Sequence, residues 1–374
     1  MFAFALRTLW FERKRYWAGV LAVAFSAVLI AVQVGLMIGL MAMVSFPVDV
    51  APADVWLAAA KVPSCDLGAE MNRDFLNRLV IQPEVAAVDE YIQGFAYLKN
   101  PKGGKVLVIV AGADLSDDSL GPVHQVPREL RLQLSEPGAI LVNENDKGRL
   151  GLDEVGDTAE IINTRVRVAG FVRNMGSFTG PYLLCSLRTA RQLLMMPEER
   201  SVYLLAKTRT PEQAPRLAQN LRAQYGDKIS AFTAKEFSNA SRWYWIINTR
   251  AGLAVGFVAI LGLVVGAVIT SQTLYAATMS SLRELMVLRA LGVPRWRMNL
   301  FVLAQAALVG VLGLAIGFPT SFVVVAGAEA MGIRPILPPE LLAGTAVISL
   351  SMAMLAGFVA LRSLAGLEPA NLLR

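Results

Sequence analysis

One histidine and two cysteines in 374 residues leave little material for metal or thiol chemistry. His124 sits in the loop-like stretch GPVHQVP, and a lone histidine cannot build a zinc site or an H-E-x-x-H motif. No G-x-x-x-x-G-K-[ST] loop is present: Gly104-Lys105 lacks both the upstream glycine and the following Ser or Thr. The serine in GSFTG, residues 176–180, stands at the wrong offset for a nucleophile elbow. No catalytic constellation emerges, so the chain reads as a non-catalytic subunit with no cofactor of its own. Charge is scarce too, at 17% against about 25% in soluble domains. It is absent from four long apolar runs, residues 17–44, 251–270, 300–328 and 341–361. An ion-coupled transporter or a voltage sensor keeps ionisable groups at membrane depth, so both are disfavoured. No dense Lys/Arg patch interleaved with aromatics is present, which argues against a nucleic-acid partner.

What is present is apolar length. Hydrophobic residues make up 55% of the chain, and each of the four runs reaches the ~20 residues a span needs. The first holds 28 residues without charge, too long for a signal peptide's apolar region of about 7–15, and is expected to be an uncleaved anchor. Residues 1–16, with Arg7, Arg13, Lys14 and Arg15, read as an amphipathic helix along the inner surface. Basic residues gather there and at 280–299, whereas 329–340 carries only Arg334. The positive-inside rule then puts both termini in the cytoplasm. The net charge of +6, placed beside the runs, favours anionic lipid headgroups.

The expected fold is an α-helical membrane protein with four transmembrane helices and an extracytoplasmic α+β domain inserted between the first and second. Its divisions are 1–45 (N-terminal helix and first span), 46–242 (outer domain), 243–364 (spans two to four) and 365–374 (cytoplasmic tail). Within the outer domain, residues 106–110, 139–142 and 166–172 read as strands. Residues 71–80, 186–195 and 210–225 read as helices, the last opened by Thr210 and Pro211. Trp243, Tyr244 and Trp245 read as an interfacial aromatic anchor. Pro319 is expected to kink the third span or mark its outer end.

Three features are candidates for function. Residues 280–298 form a basic amphipathic segment, with Leu282, Leu285, Met286, Leu288 and Leu291 at helical spacing and Arg283, Glu284 and Arg289 on the polar side. Gly292 permits a C-cap before Pro294. This is either an ordinary positive-inside loop or a helix that docks on a cytosolic partner. Small-residue pairs Gly35/Gly39, Gly252/Gly256, Gly262/Gly266 and Gly313/Gly317 allow close helix approach, within one bundle or across a dimer. Gln305 and Ser349 read as interhelical hydrogen-bond partners. Cys65 and Cys185 both fall in the outer domain, where a disulfide or two buried thiols are open alternatives.

Residues 281–295 (SLRELMVLRALGVPR) resemble the coupling segment of the MacB/FtsX-like permeases of ABC transporters. Gln305-Ala306, the glycines Gly310, Gly313 and Gly317, and the tail 366–374 (GLEPANLLR) are similar to further blocks of that family. So are residues 137–143, 150–157 and 166–170 of the outer domain, while ADVWL at 53–57 leans towards the DevC-like branch. The resemblance implies a dimeric permease in a bacterial inner membrane, a cytosolic ATPase subunit that binds ATP and Mg, and a periplasmic adaptor. It also implies that ATPase closure passes through the first two spans, the second extended outward by residues 232–247, to the outer domain. Arg283, Glu284, Leu285, Leu288, Arg289 and Gly292 would then contact the ATPase. The implied activity is export or extraction of a lipid, lipoprotein, peptide or drug. The alternative is an FtsX-like transducer that regulates a periplasmic partner such as a cell-wall hydrolase; a membrane enzyme would need a catalytic set that is missing.

Overall fold

The computed structural model describes residues 13–101, 103–173, 175–177, 179–280, 294–330 and 335–365. By internal packing the chain divides into a helical unit, Met1–Leu40 with Leu253–Arg374, and a β-rich unit, Met41–Gly252. The expected boundaries at 46 and 242 fall inside helices. Helix α1 (Arg13–Val50) has 38 residues, about 57 Å at 1.5 Å per residue, against a hydrocarbon core of roughly 30 Å.

The β-rich unit continues with β1 (Val55–Ala59), β2 (Met71–Asn72), α2 (Phe75–Val80), β3 (Val85–Lys99), β4 (Lys105–Ala113), α3 (Arg128–Gln133), β5 (Ala139–Asn143) and α4 (Lys147–Leu150). It is completed by β6 (Thr158–Ile161), β7 (Thr164–Val172), β8 (Tyr182–Ser186), α5 (Leu187–Leu193), β9 (Arg200–Ser201), β10 (Tyr203–Thr208), α6 (Ala214–Tyr225), β11 (Ile229–Thr233) and α7 (Ala234–Asn248). Among the described residues, nine strands form one mixed sheet in the order β11-β1-β10-β3-β4-β8-β5-β7-β6, and β6 also pairs with the end of β3. β2 and β9 form a separate ribbon.

Period-two alternation sorts β1 and β10 between two cores. Trp56, Ala58, Tyr203 and Leu205 enter the larger core. Val55, Leu57, Leu204 and Ala206 enter the other, where α6 presents Ala214, Leu217, Ala218 and Leu221 at helical spacing. The expected helix over 71–80 starts only at Phe75. The Asn72 side chain accepts the Asp74 amide proton at 2.8 Å, an Asx turn that separates the short strand from the helix. At the end of α4, Gly151 adopts φ 65° as a left-handed cap, and a Cβ there would lie 2.5 Å from the Asn100 side chain. The α+β character expected of this segment is therefore present.

In the helical unit, α8 (Arg250–Ser280), α9 (Arg295–Ala330) and α10 (Pro339–Ala365) join the first part of α1. Among the described residues three helices are long and apolar enough to cross a membrane: Tyr16–Val50, Asn299–Glu329 and Pro339–Phe358. The run expected as the second span lies in α8. Tyr16, Val20 and Val23 of α1 share a core with Leu308, Val309, Ala353 and Ala356. Pro319 lies inside α9 and does not mark its end. Just after it, the Thr320 and Ser321 hydroxyls donate to the Ile316 and Gly317 carbonyls at 2.7 and 2.9 Å, the i−4 contact by which Ser and Thr satisfy their own hydroxyls inside a helix. Gln305 Nε2 and Ser349 Oγ are buried and make no hydrogen bond among the described residues.

Candidate functional site

Arg283, Glu284, Leu285, Leu288, Arg289 and Gly292 lie outside the described residues, as do residues 1–12 and the tail from 366. The flanks are described. α9 begins at Arg295, and the Arg297 amide donates to Pro294 O at 3.0 Å. Arg295, Trp296 and Arg297 are thus the first turn of α9. The Arg297 guanidinium lies 5.2 Å from the Trp296 ring centre.

The glycines divide. A Cβ on Gly313 would lie 2.6 Å from Val23 Cβ, and one on Gly317 would lie 3.0 Å from Ala24 O. Both therefore serve contact between α9 and α1 of the same chain. Gly262 meets Leu29 of α1 in the same way, at 2.6 Å. The Gly35 carbonyl accepts the Ile336 amide proton at 3.0 Å, and Gly39 is buried on the same helix. A Cβ on Gly256 would meet nothing within 4 Å among the described residues. Gly252 lies in the first turn of α8.

The two cysteines are free, buried thiols, which corrects the disulfide held open above. The Cys185 thiol donates to Ala111 O within the sheet at 3.5 Å. The Cys65 thiol donates to Val44 O of α1 at 3.0 Å. Each points to its own carbonyl acceptor, and that geometry leaves no S–S bond.

Cys65 marks a junction that sequence reasoning missed. Its amide donates to Ser241 Oγ of α7 at 2.9 Å, and its carbonyl accepts the Tyr203 hydroxyl of β10 at 2.7 Å. Next to it, Asp66 accepts from the Trp245 indole at 3.0 Å and from the Ser64 hydroxyl. The three-residue stretch 64–66 therefore ties the last turns of α1 to α7 and to the sheet. Arg242 of α7 adds a direct clamp, donating to Ser45 Oγ at 2.8 Å and Asp49 Oδ2 at 2.6 Å on α1. Trp245, expected to be a lipid-facing anchor, spends its indole N–H on Asp66, whereas Trp243 is 60% exposed. The expected outward extension of the second span is interrupted: Thr249 leaves the helix at φ −112°, ψ 144° between α7 and α8.

α7 is seated firmly in the sheet. Thr233 and Glu236 form a reciprocal capping box at its start, an arrangement whose cap contributes roughly 0.5–2 kcal/mol. Phe237 packs against Trp56, Tyr203 and Phe232, with ring centres 5.9, 5.8 and 4.8 Å away. Phe46 of α1 meets Tyr182 edge-on at 6.2 Å. Tyr182 and Tyr91 contact each other, and both donate to Gln93 Oε1. Burial pushes the Cys65 thiol up to about 12 and raises the hydroxyls of Tyr91, Tyr182 and Tyr203 well above their ordinary range. At neutral pH these groups are uncharged, and a protonated thiol is a poor nucleophile. The arrangement is built to hold two helix ends against a sheet.

A mixed sheet with two helix ends locked into it, in a chain that also carries long apolar helices, defines a membrane protein with a folded extramembrane domain. Residues 19–224 match the MacB-like periplasmic core domain, and residues 256–369 match the FtsX-like permease C-terminal domain. The chain belongs to the MacB/FtsX-like permease family. An uncharacterized ABC transporter permease of Methanocaldococcus jannaschii is 22% identical over 236 residues, 59% of this chain and 58% of that protein. The match thus spans little more than half the length of that relative. The periplasmic region of MacB from Actinobacillus actinomycetemcomitans is 12% identical with a TM-score of 0.36, covering 51% of this chain and 92% of that one. The extracellular domain of the noncanonic ABC-type transporter YknZ from Gram-positive bacteria is 12% identical with a TM-score of 0.34, covering 48% and 99%. The family assignment rests on the two domain matches.

Proposed function

We propose that this chain is the permease subunit of an ABC transporter, a non-catalytic partner of a cytosolic ATPase that binds ATP and Mg. It works as a dimer in a bacterial inner membrane, with four spans, both termini in the cytoplasm and the β-rich unit outside. ATP hydrolysis moves that unit to export or extract a lipid, lipoprotein, peptide or drug, with a periplasmic adaptor as a further partner. The observation that carries this reading is the junction: Arg242 clamps α7 to Ser45 and Asp49 of α1, while the 64–66 loop binds both helices to the sheet. Helices held this way move the sheet when they move. On this reading Arg283, Glu284 and Arg289 form a charged ridge that seats in the ATPase, with Leu285, Leu288 and Gly292 shaping the helix behind it. Gly256, open on its face of α8, belongs to the dimer contact.

The test is charge reversal at Arg283 and Arg289 in proteoliposomes containing the partner ATPase. Stimulation of ATP hydrolysis by the permease should be lost while insertion and folding persist. Stimulation at the wild-type level would remove the docking assignment.

A further inference from the structure

The ribbon of β2 and β9 borders a cleft of about 340 Å³ in the β-rich unit. That lies within the range of small-ligand pockets, roughly 300–1,000 Å³. Five charged side chains line it: Glu70, Asp74, Arg78, Arg200 and Lys228. None forms an ion pair with another described residue, although the same unit pairs charges elsewhere, as in Arg73–Glu90, Arg222–Glu236 and Lys207–Asp54.

The missing pair within α2's first turns is informative. Asp74 precedes Arg78 by four residues, the spacing at which a carboxylate and a guanidinium on a helix normally meet. Arg78 instead lies over the Phe75 and Tyr225 rings, at 5.0 and 4.9 Å from their centres. Cation–aromatic stacking fixes the guanidinium plane and leaves its edge N–H groups free to donate. The Asp74 carboxylate is left without its partner. Arg200 is the cross-strand neighbour of Asn72, and Lys228 directly precedes β11, whose Ile229 pairs with Ala59. The cleft thus brings cations from a helix, a ribbon and a strand end to one opening that also holds two carboxylates. Its floor is apolar: Met71 and Phe75 are buried beneath it, 3% and 8% exposed.

We infer that this cleft binds a small zwitterion with an apolar side chain, of the class of a short peptide with free ends. The ligand carboxylate is taken by the Arg78, Arg200 and Lys228 group, its ammonium by Glu70 and Asp74, and its side chain rests on Phe75 and Met71. Both ends of such a ligand find opposite charge, whereas a simple anion or cation would leave one set of charges unmatched. Bidentate guanidinium–carboxylate contact suits the cationic side. The inference stands apart from the coupling reading, because it uses only groups within the β-rich unit and needs no ATPase.

The experiment titrates the full chain in lipid nanodiscs, without any ATPase, with alanyl-leucine and with glycylglycine, by calorimetry. Alanyl-leucine should bind saturably and more tightly than glycylglycine. N-acetyl-alanyl-leucine and alanyl-leucine amide should each bind roughly tenfold to a hundredfold more weakly, the size expected when one charge-assisted contact is removed. Arg200→Gln should weaken binding of alanyl-leucine but cost the amide nothing further, and Glu70→Gln should do the same towards the acetylated probe. All five charged residues are exposed, so these variants should keep the wild-type circular dichroism and melting temperature. No saturable binding of either dipeptide up to roughly 10 mM, a very weak limit, would overturn the assignment. So would blocked dipeptides that bind as tightly as the free one.

Discussion

Reactivity of Cys65 reports directly on the junction. In a Cys185→Ser background, the only thiol donates to Val44 O and lies at 1% exposure between α1, α7 and the sheet. Burial holds it up to about 12. At pH 8 such a group is thiolate in roughly one molecule in 10,000, against about a quarter for an ordinary cysteine near 8.5. Ionisation alone therefore slows addition to the folded thiol roughly a thousandfold, which leaves opening of the junction as the route to labelling. Ser241→Ala removes the acceptor of the Cys65 amide. A buried amide left unpaired costs about 1–3 kcal/mol, which should raise the open population, and with it the labelling rate at pH 8, by roughly 5- to 150-fold. Intact-mass spectrometry of timed, quenched samples gives the rates. In the unsubstituted chain, both thiols should label fully in detergent denaturant without reductant. A need for reductant would restore the disulfide. Native labelling within tenfold of the denatured rate would refute the buried junction.

The same assay sizes the Arg242 clamp. Arg242 and Asp49 are 37% and 33% exposed, so a double-mutant cycle with Ala at each should return only about 0.5–1 kcal/mol of coupling in the labelling equilibrium. Gly313→Leu places a side chain into Val23 and should lower the melting temperature in detergent by an amount equivalent to about 1–3 kcal/mol; Gly256→Leu, where a Cβ meets nothing within 4 Å among the described residues, should leave the monomer's melting temperature unchanged. At Asp54, burial alone would raise the carboxyl, but hydrogen bonds from Lys207 and from the Thr208 amide and hydroxyl hold it below 3.8. A depressed carboxylate adds stability above its unfolded value, about 3.9, and that stability is lost as pH falls through the folded one. Melting temperatures measured between pH 7 and acid should thus fall less steeply for Asp54→Asn than for the wild type.

Sequence patterns carried the regular elements well where one physical signal dominated. AILV and the VIV end of VLVIV are buried on both faces, and unbroken apolar strands of that kind read cleanly. α6 showed its i, i+3, i+4 stripe, whereas Thr210-Pro211 opens a 3-10 turn over Pro211–Gln213 and the α-helix starts only at Ala214. The junction was not legible, because its members are ordinary in isolation: Ser64, Cys65 and Asp66 lie about 180 residues from Ser241, Arg242 and Trp245. Only the pairing of β1 with β10 and β11 brings those segments together, and single-sequence reading cannot supply that register. A Trp-Tyr-Trp run before an apolar span has the meaning of a membrane anchor by default, and the indole acceptor of Trp245, Asp66, lies 179 residues away in sequence. The charged cleft was hidden for the same reason. Glu70, Arg200 and Lys228 are unremarkable surface residues until the β2–β9 ribbon and the end of β11 place them around one opening.

Continuity distinguishes the two helices that meet in the junction. α1 remains helical through Pro47 to Val50, whereas the path through α7 breaks at Thr249 before α8 resumes at Arg250. A helix passes on twist and axial load through its i to i−4 ladder, and an extended residue ends that ladder. On the coupling reading, α1 is therefore the element that delivers motion to the β-rich unit, and α7 is carried with it through Arg242 and the 64–66 loop. On that reading the demand for stiffness falls on residues 41–50 of α1, and the demand for grip on Ser45, Asp49 and Arg242.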